Sequence, residues 1–147
     1  FLDVDRGDHD GTRLAVIRPN DSFPGMTTMA LEPLMAAAKT VEESGKSYHV
    51  VFVGGTGINR GVNLLNNTRH PGIIEDYAQT FRVLKELKGE VFLAQHPSMY
   101  GMDDKLERLK AGAAENPFID PEGYRHFVEE EEGHYLKQLE KERSESR

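Results

Sequence analysis

The chain of 147 residues has the length of a single domain, because it can bury one substantial core but is short for two. Its net charge of −7 argues against nucleic acid as a partner, and the absence of cysteine excludes disulfides, thiolate metal sites and cysteine nucleophiles. No apolar run approaches the roughly 20 residues that span a bilayer, so we expect no membrane partner and look for metal ligands among His, Asp and Glu.

The first third of the chain predicts short strands separated by turns. The runs at residues 14–17 and 27–31 are typical of strands. Residues 33–44 are rich in alanine and favour a short helix or a long excursion at the end of a hairpin. Residues 48–53 predict a strong strand, which we expect to pair with residues 27–31, before a Gly-Gly-Thr-Gly segment at 54–57 that favours a tight backbone corner.

A helix and a further strand follow in the middle of the chain. Apolar residues recur at three- and four-residue steps over residues 73–87, with charged residues between them, which predicts an amphipathic helix that ends at Gly89. Residues 91–94 then predict a compact buried strand. This strand runs directly into Gln95-His96-Pro97, so a histidine stands where a strand ends and a loop begins, a common position for a catalytic group.

Two further helices are predicted after this loop. Asp103 is expected to cap the first, and Pro121 opens the last, whose apolar positions repeat at helical spacing. The polar tail over residues 143–147 is expected to fray. Since no repeat or linker divides the chain, residues 1–147 are expected to form a single domain.

His96 is the strongest candidate for a functional residue. Neutral imidazole is the commonest protein ligand for zinc, and a strand-end loop holds the ring while leaving it open to water. Spacing alone leaves a structural histidine, bonded to a carbonyl group, equally open, because one imidazole defines no coordination sphere. Four other histidines have no neighbour at a recognised ligand spacing and are interpreted as surface or structural residues: His49, His70, His126 and His134.

Three carboxylates, one imidazole and one lysine are weaker candidates. The Asp8-His9-Asp10 segment offers two carboxylates and an imidazole to one ion, although a polar turn is the simpler interpretation. Asp21 lies in a loop where it could ligate a metal, although an Asx turn is favoured. Lys105 lies a few residues beyond the strand-end histidine and could offer a cation to an anionic substrate, although a solvated helix lysine is more frequent.

From residue 50 onward the chain resembles the metallo-β-lactamase superfamily. The matching stretches are VFVGGTGIN at 51–59, PGIIEDY at 71–77, VFLAQHP at 91–97 and ENPFIDP at 115–121. The resemblance is carried by the order and spacing of these stretches, since no single one is decisive. It is closest to the subclass that uses histidine and no cysteine as zinc ligand.

The resemblance implies an α/β fold, namely half of an αββα sandwich. This half is one mixed sheet with outer helices, over residues 48–142, preceded by a divergent N-terminal segment over residues 1–47. A sheet built to pack on another sheet exposes an apolar face, which monomeric soluble proteins rarely tolerate. We therefore expect the sandwich to be completed by a second copy in a rearranged dimer or homo-oligomer, by a complementary N-terminal chain, or by a rearranged N-terminal segment.

The resemblance also implies a zinc site. The strand-end histidine of this family ligates the second zinc ion, which assigns that role to His96. The family's first-half motif, His-x-His-x-Asp-His, is matched here only by VDRGDH at 4–9, so both leading histidines are absent. Asp8 and His9 would then join His96, and the first zinc site would be lost. The resemblance thus implies one zinc ion, or two if a partner completes the site.

The implied function is hydrolysis of a small-molecule β-lactam or a related amide or ester by metal-bound hydroxide. Asp8 or Asp21 would orient the nucleophile as catalytic residues, and Lys105 would line the substrate cleft. Such an enzyme would be periplasmic or secreted, and otherwise the chain would be cytoplasmic. The alternative is a non-catalytic truncated or engineered fragment of this fold that acts as an assembly or binding module.

Overall fold

The structure is a computed structural model that describes residues 36–43 and 45–146. In chain order its elements are strands β1 (Ala36–Glu43) and β2 (Lys46–Val53), helix α1 (Ile73–Glu86), strand β3 (Val91–Ala94), a 3₁₀ turn (Pro97–Tyr100), and helices α2 (Met102–Lys110) and α3 (Pro121–Glu145). The strands predicted at residues 14–17 and 27–31 lie outside the described residues, as does the pairing predicted for the latter.

The three strands form one mixed sheet in the order β1-β2-β3. β1 and β2 are antiparallel, and the turn between them contains Gly45, whose φ of 76° lies in the left-handed region that glycine adopts readily. β2 and β3 are parallel, with Val53 opposite Ala94. The alanine-rich segment for which a short helix or a loop excursion was predicted is instead strand β1, because pairing with β2 along its whole length outweighs the modest helix preference of alanine.

One side of the sheet is buried under helix α3. Side chains alternate along β2, so Val51 and Val53 point to the same side, and each is only 1% exposed. Phe92 of β3 lies on this side as well, since it is in register with Val51. Its ring centre lies 5.6 Å from that of Tyr124 and 4.8 Å from that of Phe127, both on α3. The core of the protein therefore lies between the sheet and this helix.

Helix α1 completes the core by packing against α3. The rings of Tyr77 and Phe81 stack on that of Tyr135, with ring centres 5.2 Å and 5.8 Å away. Leu84 is fully buried, and its carbonyl group accepts a hydrogen bond from the Tyr124 hydroxyl at 2.6 Å. These contacts confirm the amphipathic helix that the sequence predicts over residues 73–87.

Gly89 marks the closest approach between the α1–β3 connection and α3. A Cβ atom at this position would lie 3.0 Å from the ring of Tyr124 and 3.2 Å from Cγ2 of Val51. A side chain here would have to push these closely packed neighbours apart. The glycine that the sequence predicts as a helix stop therefore also lets the backbone lie against the last helix.

Helices α2 and α3 begin in different ways. The prediction that Asp103 caps α2 is wrong: the cap is Gly101, in a left-handed conformation with φ of 64°, and no side chain caps the helix. Asp103 instead lies in the first turn, where its negative charge interacts favourably with the helix dipole. Helix α3 opens at Pro121 as predicted, and its cap is Asp120, whose Oδ1 accepts a hydrogen bond from the Gly123 N–H at 2.9 Å.

Helix α3 continues to Glu145, whereas the polar composition predicts fraying from residue 143. The carboxylate of Glu142 accepts hydrogen bonds from the N–H groups of Leu64 and Leu65, each at 2.8 Å, which tie this end of the helix to the loop after β2. Although burial alone would raise the pKa of Glu142, these bonds and one from Gln138 lower it below the ordinary value. Among the described residues, no helix is long and apolar enough to cross a membrane.

The other side of the sheet exposes apolar side chains. Phe52 points away from the helices, because it alternates with Val51 and Val53, and it is 40% exposed. Val41 of β1 pairs with Tyr48 on this same side and is 39% exposed. We call this side, defined by Val41, Tyr48 and Phe52, the outer face of the sheet.

Candidate functional site

The candidate site lies at the edge of the sheet where β2 and β3 end. Because these strands are parallel, their carboxyl ends meet at the same edge, as the pairing of Val53 with Ala94 shows. The Gly-Gly-Thr-Gly segment continues from β2, and Gln95 and His96 continue from β3. A Cβ atom at Gly55 would lie 3.8 Å from Oε1 of Gln95, so the two loops are direct neighbours. Ligands in sheets with parallel strands commonly bind at this kind of edge.

His96 stands at this edge with its side chain exposed to solvent. Its backbone is extended, with φ of −117° and ψ of 133°, a conformation that the following Pro97 favours by its steric bulk. The His96 carbonyl group accepts a hydrogen bond from the Met99 N–H at 3.0 Å, and this bond closes the 3₁₀ turn. Nε2 of the ring lies 3.3 Å from Nε2 of Gln95. The backbone is thus held in place while the imidazole remains accessible.

The 3₁₀ turn after His96 is attached to the core by its last two side chains. Met99 and Tyr100 are partly buried against the core cluster. The ring of Tyr100 meets that of Phe92 edge to face, with ring centres 6.2 Å apart. These two side chains attach one side of the turn to β3 and the core.

Lys105 does not present a free cation to the cleft in this structure. It is only 7% exposed, and its Nζ lies 2.9 Å from Oδ2 of Asp120. Although burial alone would raise the pKa of Asp120, hydrogen bonds from Lys105 and from the N–H of Gly123 lower it below the ordinary value. Substrate binding by Lys105, which the resemblance implies, would require this ion pair to open.

Asp120 is a residue that the sequence analysis missed. It caps α3, holds Lys105, and through its backbone N–H donates a hydrogen bond of 2.8 Å to the carbonyl group of Glu90, just before β3. A signal for the cap was present, since an aspartate directly before Pro121 is typical of a helix start. The ion pair left no local signal, because it joins residues from two different helix starts.

The remaining metal and catalytic candidates lie outside the described residues: Asp8, His9 and Asp21. Over residues 36–43 and 45–146, no group of three or more His, Cys, Asp or Glu side chains is arranged to hold a metal ion. The described part of the chain therefore offers His96 as a zinc donor but not a complete coordination sphere, and it brings His96 together with neither Lys105 nor a carboxylate.

Two other polar contacts, one at the start of α1 and one in the segment after β2, are structural. His70 is 7% exposed, and its Nε2 lies 2.5 Å from Oδ2 of Asp76, at the start of α1. Thr56 is 2% exposed and donates its hydroxyl hydrogen to the Glu131 carboxylate on α3. The second contact fixes the Gly-Gly-Thr-Gly segment as a tight corner, which agrees with the prediction and with the absence of a phosphate-binding pattern there.

These elements form an α/β layer in which helices cover one side of a mixed sheet and an exposed histidine stands at the strand ends. No known family profile and no curated protein matches the chain. Solved structures do match, and all of those reported below are metallo-β-lactamases.

The native FEZ-1 metallo-β-lactamase from Legionella gormanii is 30% identical over 74% of this chain and 41% of its own, with a TM-score of 0.71. A metallo-β-lactamase with an HARLDQ motif from Cronobacter sakazakii is 26% identical over 90% of this chain and 46% of its own, with a TM-score of 0.72. BJP-1, a subclass B3 metallo-β-lactamase of Bradyrhizobium japonicum, is 29% identical over 77% of this chain and 42% of its own, with a TM-score of 0.65.

The chain is therefore a member of the metallo-β-lactamase superfamily, as the sequence resemblance implied. It spans less than half the length of the structures that it matches. The fold class is confirmed as α/β, with one mixed sheet and helices that correspond to part of the superfamily fold. Completion of the sandwich by a partner chain or a rearranged dimer stays a prediction.

Proposed function

We propose that the chain is part of a zinc-dependent hydrolase, in which His96 is a zinc ligand and a small-molecule β-lactam or a related amide or ester is the substrate. The exposed imidazole at the shared carboxyl edge of β2 and β3 is the observation that carries this proposal. The structural neighbours support it, since those described above are all named metallo-β-lactamases. Exposure of the ring leaves its nitrogens accessible to an ion, which a histidine buried in the core would not allow.

The rest of the proposed site comes from residues outside the described part of the chain. Asp8 and His9 would join His96 around one zinc ion, and Asp8 or Asp21 would orient the attacking water. A bound zinc ion would supply a Lewis acid and make water a stronger nucleophile at neutral pH. Carboxylate and imidazole are both ligand types that zinc accepts, so the donor set fits the metal. A second zinc ion would need ligands from a partner chain.

The measurement that tests this proposal is zinc binding to the metal-free full chain by titration calorimetry, with elemental analysis of the loaded protein. We expect His96→Ala to weaken zinc binding about 100-fold or more, because even the outer partners of a zinc ligand contribute 10–100-fold. The matched control is His126→Ala, which removes an exposed histidine from α3 and should leave zinc binding unchanged.

Turnover of nitrocefin, a chromogenic β-lactam, then separates the two functional classes. Hydrolysis that rises with added zinc and disappears in His96→Ala supports the enzyme. Zinc content that is identical in the parent and in His96→Ala contradicts the proposal. The chain would then be a non-catalytic assembly or binding module, a class that the incomplete donor set of the described residues also fits.

We also propose that the outer face is covered by another polypeptide, either a second copy or a chain that supplies the missing half of the sandwich. Support comes from Phe52 and Val41, which are 40% and 39% exposed, whereas Val51 and Val53 on the opposite side of the sheet are buried. Exposed apolar surface of this kind favours association.

Light scattering coupled to size exclusion tests this proposal over a range of concentrations. The parent chain is expected to associate, and Phe52→Asp to shift it towards the monomer, because a charge on the outer face cannot be buried without a partner. Leu136→Asp, at an exposed site on α3, is the control and should leave the mass unchanged. A parent chain that stays a folded monomer at every concentration, with no affinity for added complementary chains, argues against this proposal.

A further inference from the structure

The carboxyl group of Asp120 joins two helices at a point close to the start of β3. Its Oδ1 accepts the Gly123 N–H at the beginning of α3, and its Oδ2 lies 2.9 Å from Nζ of Lys105 on α2. Its backbone N–H bonds to the carbonyl group of Glu90, and the neighbouring Ile119 forms a β-bridge with Val91. The Lys105–Asp120 ion pair therefore connects α2 to the base of the strand that leads to His96.

The turn that carries His96 lies between β3 and α2. It ends at Gly101, whose carbonyl group accepts a hydrogen bond of 3.0 Å from the backbone N–H of Lys105. Its other end is His96 itself, whose carbonyl group bonds to Met99. A shift of α2 relative to β3 would therefore be transmitted to the turn, and through it to the histidine.

The degree of burial suggests what the ion pair contributes. The Lys105 side chain is 8% exposed, so its ammonium group has lost most of its hydration. Replacing a buried ion pair with apolar residues often leaves a protein equally stable, so such a pair is poor evidence for a purely stabilising role. What it provides reliably is a defined geometry, since both charges are held by directional hydrogen bonds.

We infer that the Lys105–Asp120 ion pair is a positioning device that holds the His96 imidazole at the carboxyl edge of β2 and β3. Lys105 acts here through the turn and does not touch substrate. This inference rests on the proposed role of His96 in binding zinc, and it gives the lysine a role different from the one that the resemblance implies.

The test compares three variants of the metal-free full chain: Lys105→Met, Asp120→Asn and the double variant. Asparagine keeps the capping ability of position 120, and methionine keeps most of the lysine stem. The first readout is nuclear magnetic relaxation of the His96 ring, and the second is unfolding by urea. Affinity for zinc ions, measured by calorimetry, is the third. Lys85→Met is the matched control, because it removes a lysine–carboxylate pair, with Glu132, that joins α1 to α3.

A positioning role predicts faster or wider motion of the His96 ring in all three variants and not in Lys85→Met. Asp120→Asn should lose stability, since it leaves the buried Lys105 ammonium without its carboxylate, and the double variant should recover it. Lys105→Met should cost less, because the Asp120 side chain is 34% exposed and can be hydrated. Ring motion and a zinc affinity lowered about 10-fold should persist in the double variant, as expected for loss of an outer partner of a ligand. Recovered stability with altered ring motion is a result that a merely structural role would not give.

An unchanged His96 ring in the double variant overturns the inference, whatever happens to stability. If a single variant fails to fold, the double variant still decides the question. Failure of the parent chain to bind zinc ions would remove the proposed function, but the ring relaxation would still report on positioning. The two failures are therefore distinguishable.

Discussion

Replacing Phe81 with alanine is expected to lower the free energy of unfolding by about 3–5 kcal/mol, the usual cost of deleting a buried aromatic ring. Phe81 is fully buried on α1 and stacks on both Tyr77 and Tyr135, so its loss leaves a cavity between α1 and α3. Domains are typically stable by only about 5–15 kcal/mol, so this loss is a large fraction of the total.

Urea denaturation measures this effect through the midpoint of the transition at constant slope. Leu136→Ala serves as control, because Leu136 is 51% exposed on α3 and its truncation should change stability by no more than about 0.5 kcal/mol. Equal midpoints for the two variants would show that α1 and α3 do not share a packed core.

The second large effect expected is a steep loss of stability in alkali. Burial raises the pKa of three tyrosines above the ordinary value of 10.0, and for Tyr77 the charge of Glu131 adds to the effect. The three are Tyr77, Tyr124 and Tyr135. Above pH 10.0 the unfolded chain releases the hydroxyl protons of these tyrosines while the folded chain keeps them, so rising pH favours unfolding. Tyr124, whose pKa is raised most strongly, contributes up to about 1.4 kcal/mol per pH unit in this range.

Circular dichroism and tyrosinate absorbance, followed together during an alkaline titration, test this expectation. The part of the tyrosinate signal that comes from Tyr77, Tyr124 and Tyr135 should follow the helical signal, because burial disfavours ionisation of these rings in the folded chain. Tyr124→Phe should make the free energy of unfolding fall less steeply with pH above pH 10.0, although it also removes the hydrogen bond to the Leu84 carbonyl group. Tyrosinate absorbance that rises fully before the helical signal falls would contradict the burial of these rings.

The sequence allowed the elements with strong periodicity to be predicted, and local patterns explain why. Helix α1 and strands β2 and β3 combine apolar spacing with clear stops, so their limits were found to within a few residues. Strand β1 was missed because its alanines prefer a helix when considered alone. Its strand conformation depends on hydrogen bonds to β2, a tertiary effect that overrides a weak propensity.

The site was predicted only in part, because only its local features can be found in the sequence. His96 could be found because a histidine directly after a buried strand is visible in the sequence. The pairing of Lys105 with Asp120 could not, because it joins positions in different helices, and spacing alone suggested a lysine facing a cleft. The cap of α2 was misassigned to Asp103 because the sequence does not show that Gly101 adopts a left-handed conformation.

The contacts of α3 also determine when the molecule can fold during synthesis. Tyr135 stacks on Tyr77 and Phe81 of α1, and Glu142 binds the loop after β2, so residues far apart in the chain meet in one core. A nascent chain that has left the ribosome only as far as β3 lacks the rings of Tyr124 and Phe127 that pack on Phe92. Until the last helix emerges, this apolar surface stays exposed and can bind chaperones or neighbouring nascent chains.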